Sequence, residues 1–188
     1  MKVKAQFIKI LLAYIALTNV VISQNNEWPQ WRGLKRNGIA NSDQNPPVKF
    51  NKKDNIIWSS KVPGRGHGSP TIYENKIFLV TADETAKTQT LLCLSRDTGK
   101  TLWTREVHKG GFPEKSNKKA SQASCTPATD GNFVYINFLH NGTVFTTAFD
   151  FMGNKVWQQK ISDYILHQGF STSPAIYKSL LIVSADNK

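Results

Sequence analysis

The sequence predicts an all-β protein, a β-propeller of four-stranded blades, of which the chain holds about two and a half. Three observations predict it. A Ser/Thr-Pro step recurs at Ser69-Pro70, Thr126-Pro127 and Ser173-Pro174. A polar turn and then short apolar runs follow each step. Each full copy carries a Gly turn and a tryptophan, Trp103 or Trp157. Pro70 to Trp103 spans 33 residues and Pro127 to Trp157 spans 30, while Trp58, Trp103 and Trp157 lie 45 and 54 apart. A period of roughly 40–50 residues with four strands per unit is the spacing of propeller blades.

The elements follow in order. Residues 1–23 read as a cleavable signal: Lys2, Lys4 and Lys9 flank a short apolar stretch over 10–22, with cleavage expected after Ser23. The apolar run is too short for a membrane span, so no stable span is expected after cleavage. Residues 24–54 form an N-terminal extension. Residues 55–62, around Trp58, read as an orphan strand of the kind that closes a propeller ring. The first blade is expected over 63–107, with strands from Ser69 to Tyr73, over 76–82, over 90–95 and ending at Trp103. The second is expected over 108–161, with runs at 133–139 and 143–150 and a close at Trp157. Residues 162–188 begin a third, with an apolar run over 180–185. Roughly four to eight blades close a ring, so a fragment of a longer propeller is expected. The apolar runs suit sheets buried on both faces.

Composition agrees with a globular chain: 188 residues, 39% hydrophobic, 20% charged and 11% aromatic. Those values exclude a membrane bundle and wholesale disorder. The net charge of +11 falls to +8 once the three leader lysines are removed. The remaining lysines are scattered, with no aromatic-interleaved basic stripe, so nucleic acid is not expected as a partner. With export, the expected partner is a protein or polysaccharide of the cell envelope, and the expected location is periplasmic or secreted.

The stretch Cys93-Leu94-Ser95-Arg96-Asp97-Thr98-Gly99-Lys100-Thr101-Leu102-Trp103 resembles the tryptophan-docking repeat of PQQ-like (pyrroloquinoline-quinone-binding-like) β-propellers. Ala148-Phe149-Asp150-Phe151-Met152-Gly153-Asn154-Lys155-Val156-Trp157 is similar and one residue shorter. Cys93 stands for the usual Ala, Ser95 for the usual Asp, and the second copy lacks the Thr. Trp28-Pro29-Gln30-Trp31-Arg32-Gly33, with Arg36-Asn37-Gly38, looks like the opening of exported bacterial members. The resemblance implies that Trp58, Trp103 and Trp157 stack between blades and that Gly99 and Gly153 make the turns between the third and fourth strands. The residues alone support the same structural roles: glycine supplies positive φ, a large aromatic fills the space between sheets, and Asp97 or Asp150 binds its own turn amides.

Candidate ligand contacts come from the linkers between blades, which should emerge on one face of the propeller. They are Arg65, His67, His108, Gln122 and His167. His140 falls in a hairpin with Asn141-Gly142 and is expected to be structural. The histidines lack the short spacing of a metal site, so no metal is assigned. Arg65-Gly66-His67-Gly68 precedes a strand rather than a helix, which excludes a phosphate cradle and suggests a backbone turn. Cys93 and Cys125 either pair, if export brings them to an oxidising compartment, or remain buried free thiols.

No nucleophile elbow, zinc signature or carboxylate pair stands out, and no catalytic residue is assigned. The expected function is a non-enzymatic exported scaffold that binds protein or glycan, with no cofactor assigned. The resemblance also implies an alternative, a quinoprotein dehydrogenase oxidising an alcohol or sugar with PQQ and Ca²⁺. A third is an accessory propeller of a larger exported enzyme. The family includes a lipid-anchored outer-membrane assembly factor, but no cysteine lies near the expected cleavage point to carry such an anchor.

Overall fold

The computed structural model describes residues 27–113 and 117–186. The expected leader, residues 1–23, lies outside the described residues. Those residues form ten strands and no helix. Strands β1 (Thr71–Tyr73), β2 (Lys76–Asp83), β3 (Thr88–Ser95) and β4 (Thr101–Lys109) make one antiparallel sheet in chain order. Strands β5 (Ala128–Thr129), β6 (Phe133–His140), β7 (Thr143–Asp150) and β8 (Lys155–Asp163) repeat it. Strands β9 (Ala175–Tyr177) and β10 (Leu180–Ile182) start a third unit.

The repeat extends to irregularities. The β3–β4 pairing shifts register at Gln89/Thr90 and Cys93/Leu94, and the β7–β8 pairing shifts at the equivalent steps Val144/Phe145 and Ala148/Phe149. Such bulges sharpen the right-handed twist that propeller blades carry. The core lies between the two full sheets. Phe78, Val80, Leu91 and Cys93 of the first share one buried cluster with Val134, Ile136, Phe138 and Phe149 of the second. Burial of each large side chain contributes roughly 1.5–3 kcal/mol, so the sheet pair behaves as one packed body. A smaller cluster of Leu139, Val144 and Phe170 seats the linker that leads to β9.

Several boundaries differ from the sequence reading. The copies do not close on their tryptophans. Strand β4 runs on from Trp103 to Lys109, and β8 from Trp157 to Asp163. The expected blade limits at 107 and 161 therefore fall inside strands. These extensions are outer-edge strands, so charged residues such as Arg105, Glu106 and Lys160 stand in them where an inner strand would need apolar ones. Residues 55–62 form no strand, because no ladder partner lies beside them among the described residues. Cys93 and Cys125 are both buried and unpaired. Burial pushes both thiols up to about 12, which keeps them protonated and unreactive.

The Gly turns meet the tryptophans directly. The Trp58 indole N–H donates to the Arg96 carbonyl at 2.7 Å, and Trp103 donates to Phe151 at 3.0 Å. A Cβ on Gly99 would fall inside the Trp58 ring, and one on Gly153 would lie 2.9 Å from the Trp103 ring. Both glycines also hold positive φ, at 67° and 83°. Glycine is thus required twice over, by its backbone conformation and by the indole laid against it.

Candidate functional site

The innermost strands β1, β5 and β9 are short and leave backbone donors on their inner edges. Two sets of hydrogen bonds satisfy them. The first joins the repeats through the residue before each proline. Ser69 donates its N–H to Thr126 Oγ1 at 3.0 Å, and Thr126 donates its N–H to Ser173 Oγ at 2.8 Å. The Ser/Thr of the Ser/Thr-Pro step is therefore a latch from one unit to the next.

The second set comes from the N-terminal extension. Trp28 exchanges both backbone hydrogen bonds with Ile72, at 2.9 and 3.0 Å. The Pro29 carbonyl accepts the Thr129 N–H at 2.9 Å, and Gln30 Oε1 accepts the Ile176 N–H at 3.1 Å. Ile72, Thr129 and Ile176 each lie two residues after a repeat proline. Three consecutive residues thus cap three consecutive units at one equivalent position. Proline suits the middle place because only its carbonyl is needed there.

This strap crosses the inner strands three residues beyond the latch. On the latch side lies a cavity of ≈ 420 Å³. Its wall repeats with the sequence. His67, Ser124 and Ser171 stand three residues before the prolines, Thr172 two before, and Ser69, Thr126 and Ser173 one before. Trp31, the next residue after the strap, completes the lining and is 58% exposed. The Arg32 guanidinium lies 5.8 Å from its ring centroid. The cup presents hydroxyls, one imidazole and one indole, without a formal charge among the carboxylate or ammonium types.

The other candidates divide. Arg65 and Gln122 line a second cavity of ≈ 340 Å³ with Glu84, Lys87, Phe112 and Lys118. Arg65 is held there: it exchanges backbone bonds with Ala82, pairs with Glu84 at 3.6 Å, and donates to the Lys119 carbonyl at 3.2 Å. The Gln122 carbonyl accepts the buried Gln89 side-chain amide at 2.8 Å, which ties the linker to β3. His67 lines the cup, and its N–H donates to Ala123 at 2.9 Å. The segment around His67 is extended, not a turn. A Cβ on Gly66 would lie 2.6 Å from the Val80 carbonyl, so the glycine permits close backbone approach. His167 is exposed and lines neither cavity.

His108 is not in a linker. It is the buried residue near the end of β4, stacked on His140 with ring centroids 4.4 Å apart. Phe138 and Phe145 flank it. Burial, reinforced by His140 and Lys155, lowers its pKa to about 4, so it is neutral at pH 7. His140, expected to serve its hairpin, is therefore half of an inter-sheet stack. The strap and the latch were missed from sequence. The repeated hydroxyl before each proline was the available signal.

A carboxylate-rich quinone with Ca²⁺ needs cationic side chains and oxygen donors of carboxylate type. The hydroxyl-lined cup offers neither, while the second cavity holds Arg65, Lys87, Lys118 and the carboxylate of Glu84, and no step through such a group is derived.

The family model described as "Outer membrane protein assembly factor BamB" matches residues 40–164. A solved structure, BamB from Moraxella catarrhalis, is similar at 17% identity with a TM-score of 0.48. The match covers 69% of this chain and 37% of that one. No curated protein matches. The match speaks to the repeat architecture of this chain. With two copies of a four-stranded, tryptophan-docked unit and a family model over most of its length, the chain belongs to the PQQ_2 family of PQQ-like propeller repeat proteins.

Proposed function

We propose that this chain is part of an exported, non-enzymatic propeller scaffold that binds a protein or glycan of the cell envelope through its linker face. One observation carries the reading. The linkers put two cavities, of ≈ 420 and ≈ 340 Å³, on one packed two-sheet body, while several of the groups suited to catalysis are held in structural contacts. His108 is sealed between sheets, both thiols are buried, and Arg65 is ion-paired. Rigid scaffolds that present loops commonly bind in this way. The basic leader supports export, and the family's name supports an envelope setting.

The test has two arms. Titration of the full-length protein with PQQ and Ca²⁺, followed by dye-linked oxidation of alcohols and sugars, should give neither saturable binding nor turnover. Saturable binding with dye reduction would establish the dehydrogenase instead. In an export assay, the chain should be cleaved after Ser23 and recovered outside the cytoplasm. Retention of the intact leader in the cytoplasmic fraction would remove the envelope role.

A further inference from the structure

The cup on the latch side of the strap has a chemistry the fold does not require. Only one set of hydroxyls latches the units, yet Ser124, Ser171 and Thr172 add three further hydroxyls to the wall, at places two or three residues before the prolines. Ser124 Oγ is held by Ser121, at 2.9 Å from its hydroxyl. Thr126 and Ser173 each accept a backbone N–H, so their oxygens are fixed while the hydroxyl protons stay available to donate. The strap anchors Trp28 to Gln30 on three units, and Trp31 follows immediately at the cavity with 58% of its surface exposed. The ≈ 420 Å³ volume lies within the roughly 300–1,000 Å³ of small-ligand sites.

We infer that this cup binds a single pyranose ring, the terminal unit of a glycan, with Trp31 as its stacking platform. The inference rests on the reading of the linker face as the binding face. An indole offers its π-face to the C–H face of a sugar, and pre-oriented hydroxyls pair with vicinal diols through cooperative donor–acceptor chains. The hydroxyl wall itself carries no carboxylate or ammonium, and the cation beside it is the Arg32 guanidinium over Trp31, so an uncharged sugar meets neutral partners on that wall. His67, opposite the hydroxyls of the later repeats in sequence order, breaks the symmetry of the wall and sets which sugar hydroxyl is read.

The experiment uses the full-length protein and a panel of methyl pyranosides (gluco, galacto, manno and N-acetylglucosamine), followed by indole fluorescence and ligand-observed NMR. At least one glycoside should bind saturably, with Kd on the order of millimolar for a monosaccharide. Trp31→Ala should weaken it by at least about tenfold, and Trp31→Phe by less, because a phenyl ring still stacks. Ser171→Ala, which latches nothing, should weaken it severalfold with an unchanged thermal midpoint. Failure of every glycoside overturns the inference, as does binding that Trp31→Ala leaves intact. A peptide that quenches Trp31 where all glycosides fail assigns the cup to protein and also overturns it. In each case, capture of an envelope partner that is lost in Arg65→Glu but kept in Trp31→Ala would leave the linker-face reading standing.

Discussion

Trp103 and Trp157 occupy the same place in two copies of one motif, yet they live differently. Trp103 is half-buried, lies against Gly153, and donates its indole N–H to the Phe151 carbonyl. Arg105 stands over its ring at 5.6 Å and also donates to the Gly153 carbonyl at 2.7 Å. Trp157 is 39% exposed and meets Tyr135 of its own sheet, with centroids 5.9 Å apart. The motif fixes the position of an indole, and the next unit's Gly turn decides what that indole is worth. Stability in such arrays is a sum of unit and nearest-neighbour terms.

The largest effect should come from breaking the completed interface. Trp103→Ala is expected to cost about 3 kcal/mol, since it removes a large aromatic and strands the Phe151 carbonyl. In this 188-residue chain Trp157→Ala should cost about 1 kcal/mol or less, because its indole meets Tyr135 of its own sheet instead of a Gly turn. Urea unfolding of the two variants checks the contrast. Equal losses would show that the motif acts within its own sheet and not between sheets. Gly153→Ala sharpens the same point from the other side. Its Cβ meets the Trp103 ring and its φ is 83°, so it should cost at least about 1–2 kcal/mol. In the Trp103→Ala background the steric part should vanish, which a double-mutant cycle reads directly.

What the sequence revealed follows the range of each interaction. The Gly turns and the strands β2, β3, β6 and β7 are written locally, as positive-φ residues and apolar runs a few residues apart. The ends of β4 and β8 were hidden because an outer-edge strand tolerates charges and so looks like a polar linker. His108 was misplaced for that reason, as a buried residue in an otherwise exposed strand. The strap was invisible because its contacts span the chain; Gln30 reaches Ile176 across 146 positions. The cup is half legible: of the linker candidates Arg65, His67, His108, Gln122 and His167 only His67 lines it, and of its hydroxyls only Ser69, Thr126 and Ser173 of the Ser/Thr-Pro steps carry a repeat signal.

The strap offers a milder perturbation. Gln30→Ala removes one acceptor from the Ile176 N–H, at a cost of about 1 kcal/mol. It should loosen the third unit before the sheet pair, because β9 is otherwise held by the latch, the Asn137 amide on the Thr172 carbonyl and the Arg36 contact with Tyr177. Hydrogen exchange would show faster opening at Ile176 with protection retained at Val80 and Ile136. Uniform loss would mean that the strap clamps all units as one cooperative body.

The pH response separates the sheet interface from the cup. His108 has a folded pKa of about 4, below the unfolded value of 6.5, because burial disfavours the imidazolium. The unfolded chain therefore binds the extra proton first. Stability from this group is complete above the unfolded value and is lost as pH falls toward 4. The facing groups add to the trend. His140 from β6 and Lys155 from β8 oppose a charge on His108, while Phe138, Phe145, Thr147 and Gln158 offer no carboxylate to balance it. Thermal midpoints should drop between pH 6.5 and 4, and His108→Leu should flatten that part of the profile. Glycoside binding at the cup should not follow the same curve until the sheets separate, since the stack lies between β4 and β6 and not at the latch. If His108→Leu left the acid slope intact, the inter-sheet stack would not be its source.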